Sequence, residues 1–244
     1  MDKIESAKHM KNKLPAAVSL ALLLALGAGA ISPLDGKIIA LDAGHGGAET
    51  GAPNIATGVL EKDVNLAVVY ALKNKIKDSG ADAKMVLTRT GDETLDSRKS
   101  RVDYAIEQCQ TLYGRKCDIL VSVHHNGNAD PAHDGTMVIY NERQDKPLAT
   151  ALHDALLPLT NKDEGYDNGG YGITVYGHLV SALTEAYYIS NNDEALAYLA
   201  GSPFITPSGY TVLIGDRVNQ EAQAEFDAIS TYFASQPPKK GGRK

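Results

Sequence analysis

The chain has 244 residues, 43% of them hydrophobic and 22% charged, the composition of one ordinary globular domain with a leader or tail. Its formal charge of −6 excludes a general nucleic-acid binder, which would carry a basic excess.

Lys3, Lys8, Lys11 and Lys13 precede AAVSLALLLALGAGA, fifteen residues without a charge. That run is short for a membrane span, which takes about 20 residues. It ends in Ala28-Gly29-Ala30, the small-x-small pattern of a signal-peptidase site. Residues 1–30 therefore read as a secretory signal peptide cleaved after Ala30, with an uncleaved N-terminal anchor as the alternative. The leader carries four lysines and two acids, so the remainder has a formal charge of −8. Residues 31–36 are a short lead-in, and no linker is visible between 37 and 235. The closing 236–244, with its PPKKGGRK, is expected to be a disordered basic tail.

KIIALD (37–42) reads as a buried strand, and 63–80 as an amphipathic helix with Val64, Val68, Ala71, Leu72 and Ile76 on one face. A strand over 84–89 and a helix from Ser97 to about Gln108 follow. DILVSVHHN (118–126) is a third strand, apolar until it reaches its histidines. A fourth covers 135–141, then a helix near 147–158 and a loop over 160–171. Strands are expected at 172–176 and 181–189, a short helix at 193–200, and a long helix at 209–234. Strands that alternate with helices and show no polar face predict one α/β domain over 37–235, its sheet mostly parallel and covered on both sides. Cys109 and Cys117, the two cysteines, can pair across a short loop once the chain is exported.

Ligands of open α/β sheets bind beyond the carboxyl ends of the strands. His45 follows the first strand among three glycines, His124 and His125 close the third, and Glu185 lies inside the apolar SALTEAYYIS. Glu61 opens the first helix. A hydrolytic zinc site needs three protein ligands and an open position for water. Two imidazoles and one carboxylate leave the ion about +1, enough to lower the pKa of bound water towards ~7. A separate carboxylate must then carry the proton. His45, Glu61 and His124 fit the ligand role and Glu185 the proton carrier. Each has a plainer alternative: His45 as a turn residue, Glu61 as an acid favouring a helix N-terminus. The strand period of two places Ser122 and His124 on one face and His125 on the other.

LDAGHGGAETGA (41–52), GVLEKDVNLAVVYAL, LTRTGDETLDSRKSRVDYA, SVHHN and LTEAYYISN occur in that order. Together they resemble the zinc-dependent N-acetylmuramoyl-L-alanine amidases, the cell-wall amidases of type 3, over about residues 37–235. The resemblance implies a roughly six-stranded, mostly parallel sheet between helices. It also implies one Zn²⁺ held by His45, Glu61 and His124, and a catalytic glutamate at Glu185. The implied protein is an exported, monomeric hydrolase of peptidoglycan, periplasmic or extracellular, that cuts the amide between N-acetylmuramic acid and L-alanine. A zinc peptidase or deacetylase acting on wall material, or a wall-binding module without catalysis, are the alternatives. The chain departs from the family at His125, where a small residue is usual; a neutral replacement is the expectation, with an imidazole that competes for metal or contacts substrate as the alternative. Tyr187 replaces a glycine, Tyr188 a phenylalanine and Asn192 a proline. These changes flank Glu185 and are expected to bear on the shape of the substrate groove.

Overall fold

The strand Ile38–Ala43 (β1) is buried at every residue, and it sits inside a six-stranded sheet. The computed structural model describes residues 31–168 and 172–237, so the leader 1–30 and most of the tail lie outside the described residues. After β1 come α1 (Glu61–Asp78), β2 (Lys84–Leu87), α2 (Arg98–Tyr113), β3 (Ile119–Asn126), β4 (Thr136–Ile139) and α3 (Lys146–Leu156). The chain continues through β5 (Asp163–Asp167), β6 (Ser181–Tyr188), α4 (Asn192–Leu199), β7 (Ser202–Ile205), β8 (Thr211–Ile214) and α5 (Asp216–Ser235). The large sheet runs β2-β1-β3-β6-β4-β5, every pair parallel except β4 with β6. The sheet is therefore mixed and mostly parallel.

Side chains alternate between two cores, one on each face. Ile39, Leu41, Val121 and Val123 join α1, α3 and α5 on one side. Ile38, Ala40, Val86 and Leu120 pack with Val102 and Ala105 of α2 on the other. The α1 helix opens with Glu61 and Asp63 and closes with Lys75 and Lys77, matching its dipole at both ends. The α2 helix opens with a reciprocal cap, in which Ser97 Oγ accepts from Ser100 N and Ser100 Oγ accepts from Ser97 N. A Cys109–Cys117 disulfide ties the end of α2 to the approach to β3.

Three segments differ from expectation. Asp163–Asp167, expected as loop, is an edge strand on β4; DEGYD has no apolar alternation to announce it. Residues 172–176, expected as strand, are a 3-10 turn over Gly172–Val175, entered through a left-handed Gly172 with φ +80°. Ile173 inserts there among Val102 and Ala105, so its apolar signal is that of packing and not of pairing. The long helix expected from 209 begins only at Asp216, because Thr211–Ile214 pairs back on Ser202–Ile205 as a hairpin. Three of its four residues, Val212, Leu213 and Ile214, are apolar, so helix and strand were equally readable there.

Candidate metal centre

His45, Glu61 and His124 reach one point beyond the carboxyl ends of β1 and β3, with one donor atom from each lying within 4.8 Å of the others. Glu61 is the hinge of the group: Oε2 lies 3.2 Å from His45 Nε2 and Oε1 lies 3.0 Å from His124 Nδ1. The Ala52 amide donates to Oε2 at 2.8 Å. Burial works to raise the Glu61 carboxyl, yet its hydrogen bonds and charge contacts with His124 and His45 outweigh that and hold it far below the ordinary carboxylate range. It stays ionised, as a ligand must. Two imidazoles and one carboxylate, aimed at one another, suit a divalent metal.

Close approach accounts for Gly44, and close approach together with a left-handed backbone at φ +67° accounts for Gly51. A Cβ on Gly44 would fall 2.3 Å from the His124 ring, and one on Gly51 2.3 Å from Glu61 Oε2. His45 itself occupies the left-handed region at φ 59°, a conformation that costs a residue with a Cβ. Two arginines hold it there. Arg101 donates to the carbonyls of Ala43 and His45, and Arg89 to those of Ala43 and Gly44. Arg101 is in turn paired with Asp42, which is fully buried and also accepts from Ser122 and Thr88. Burial pushes the Asp42 carboxyl up, but Arg101 and the two hydroxyls bring it below its usual value. On the outer side of the loop, Lys62 bridges Asp92 and the Gly47 carbonyl.

Glu185 sits beside His124 in the β3–β6 register, on the same face of the sheet. Its Oε2 is buried without a hydrogen-bond partner among the described residues. Burial first, and the charge of Glu61 second, push its carboxyl well above the usual range. His45, His124 and Glu185 share a cleft of about 760 Å³. Leu95, Ile139, Ile173 and Tyr176 give it apolar walls, and Glu49, Arg98 and Arg101 supply charge.

His125 falls where the strand period sends it, buried on the opposite face with its ring between Asn65 and Glu221 and clear of the cleft, while its backbone amide donates to Glu61 Oε1. The two tyrosines fall elsewhere than expected. The β3–β6 register advances two residues from His124 to Asn126 but three from Glu185 to Tyr188. This bulge turns Tyr187 to the back, its ring 4.3 Å from that of His125. Tyr188 donates to Glu164 and accepts from Asn126. Neither tyrosine lines the cleft. Asn192 accepts from Asn54, whose amide also donates to the carbonyls of Ile189 and Ser190.

Sequence reasoning assigned no part to Asp42, Asn65, Arg89, Asp92 or Arg101. Arg89, Asp92 and Arg101 lie within the LTRTGDETLDSRKSRVDYA stretch, and that stretch was the available signal.

Residues 39–201 match a family model described as Amidase_3, N-acetylmuramoyl-L-alanine amidase. YqiI of Bacillus subtilis is 32% identical over 183 residues, covering 72% of this chain and 82% of that protein. The N-acetylmuramoyl-L-alanine amidase LytC of the same organism is 29% identical over 169 residues, 67% of this chain but 32% of LytC. The catalytic domain of the amidase CwlV from Bacillus (Paenibacillus) polymyxa var. colistinus superposes with a TM-score of 0.66 at 27% identity, over 82% of this chain and 99% of that one.

Proposed function

The chain belongs to the N-acetylmuramoyl-L-alanine amidase family Amidase_3, and from that premise we propose that it is a zinc enzyme hydrolysing the amide between the lactyl group of N-acetylmuramic acid and L-alanine in peptidoglycan. The observation that carries this reading is the meeting of His45, Glu61 and His124 within 4.8 Å on the face that also bears Glu185, whose Oε2 has no hydrogen-bond partner among the described residues. LytC and CwlV, both named as amidases of this kind, support it.

His45, Glu61 and His124 hold the zinc. When bound, the ion supplies Lewis-acid polarisation of a carbonyl and acidifies water. Glu185 is the catalytic base and acid. It accepts a proton from the water that attacks the lactyl carbonyl, then delivers it to the alanine nitrogen as the carbon–nitrogen bond breaks. Leu95, Ile139, Ile173 and Tyr176 give the cleft apolar walls for the substrate to pack against.

Residues 1–30 serve as an export signal, and the enzyme acts as a monomer in a periplasm or outside the cell. The Cys109–Cys117 disulfide fits an oxidising compartment. No helix among the described residues is long and apolar enough to cross a membrane.

Dye release from labelled peptidoglycan tests the reading. Activity should vanish on chelation and return with one equivalent of zinc. Activity that survives complete metal removal, or a well-folded protein that retains no zinc, contradicts it.

A further inference from the structure

His125 has no place in the chemistry above, yet it is built into the fold at a cost. Both it and Glu221 are buried, His125 1% and Glu221 0% exposed, and a buried imidazole–carboxylate pair is commonly no more stabilising than apolar residues of the same volume. What the pair does can be read from its hydrogen bonds. Asn65 Nδ2 donates to Glu61 Oε1 at 3.2 Å and to the Gly44 carbonyl at 3.1 Å, two groups that only accept. The amide oxygen of Asn65 must therefore face the other way, where His125 Nδ1 donates to it at 2.7 Å. His125 Nε2 is held at 2.9 Å by Glu221 Oε2 from α5. The backbone amide of His125 donates to the same Glu61 Oε1, at 3.2 Å.

We infer that His125, anchored by Glu221, is a positioning residue that fixes the Asn65 amide and through it the metal-facing carboxylate of Glu61. This rests on the zinc reading above. The chain of contacts joins α5, β3 and α1 to one oxygen of one ligand. Without a donor at His125, the amide oxygen of Asn65 is left buried and unsatisfied, and the amide must shift towards another donor, which loosens its bonds to Glu61 Oε1 and the Gly44 carbonyl. Partners of this kind, behind the ligands, commonly contribute 10–100-fold to metal affinity.

The test is zinc affinity by competition with a chromogenic chelator, read beside the visible spectrum of the cobalt-substituted protein. His125→Leu should bind zinc roughly 10–100-fold more weakly and alter the cobalt bands. His125→Asn, whose amide can still donate to Asn65, should bind more tightly than the leucine variant. Val218→Ala, a buried α5 position outside this chain of hydrogen bonds, should match wild-type zinc affinity and controls for disturbance of the same core. Asn65→Leu breaks the same chain from the other end and is decisive if His125→Leu does not fold. In the double leucine variant the two losses should not add. A folded leucine variant at either position with wild-type zinc affinity and spectrum overturns the inference, as does an asparagine variant no better than leucine. Wild-type protein that binds no zinc would instead overturn the metal reading itself.

Discussion

Gly44→Ala should remove zinc binding while leaving the fold in place. Gly44 lies outside the left-handed region, so alanine takes its backbone without strain. The new Cβ would stand 2.3 Å from Cε1 and Nε2 of His124, where carbon atoms need about 3.5 Å. The ring must therefore retreat by roughly 1 Å, several times the ~0.2 Å tolerance of a metal–ligand bond. Its side chain is 15% exposed and borders the cleft, so it can swing outwards rather than deform the sheet. Overpacking of this kind costs about 1–3 kcal/mol, less the ~0.4–1 kcal/mol that alanine returns by restricting the unfolded chain. For a domain of this size each kcal/mol moves Tm by about 2–4 °C. Calorimetry of the metal-free variant should thus show a shift of a few degrees. Chelator competition should show zinc affinity down at least 100-fold, beyond the roughly 10–100-fold of partners behind the ligands. A folded Gly44→Ala protein that binds zinc like wild type would refute the argument from close approach.

Glu185→Gln should keep its zinc and lose about 10²–10⁴-fold in amide hydrolysis, read by dye release, and a wild-type rate would remove Glu185 from the mechanism. Arg101→Met leaves Asp42 buried and unpaired, which should cost roughly 3–5 kcal/mol in urea unfolding at neutral pH. Because Asp42 is shifted below its usual value of 3.8 in the folded state, its stabilisation is present above that pH and is lost as the pH falls further. The difference between Arg101→Met and wild type should therefore shrink on acidification, and a gap that widens would contradict the pairing. Replacing Cys109 and Cys117 by serine opens a loop with a separation of 8 residues, which should cost roughly 2–3 kcal/mol and lower Tm by about 5–10 °C with zinc affinity unchanged.

The site residues were legible where a polar group breaks an apolar pattern. His124 ends a strand with no other polar face, Glu185 interrupts SALTEAYYIS, and His45 stands where glycines clear the backbone around it. The supporting residues gave no such contrast. Asn65 lies on a helix whose polar positions read as solvated, and Arg101 looks like any cation near a helix start. Only the fold sets Arg101 against Asp42 and the His45 carbonyl. The period of two sent His125 to the back of the sheet, as the structure does. Tyr187, expected to bear on the groove, lies at the back instead, because a bulge in β6 is not written in the order of apolar residues. Short elements escaped for a related reason. DEGYD shows no apolar alternation, and TVLI is too brief for its apolar residues to declare a helix or a strand.

Mass spectrometry of peptidoglycan digested by the zinc-loaded protein tests the central claim most directly. The account predicts stem peptides released with a free L-alanine amino terminus, together with glycan strands whose lactyl carboxylates are bare. Peptides cut elsewhere, or stems still joined to muramic acid after exhaustive digestion, would contradict it.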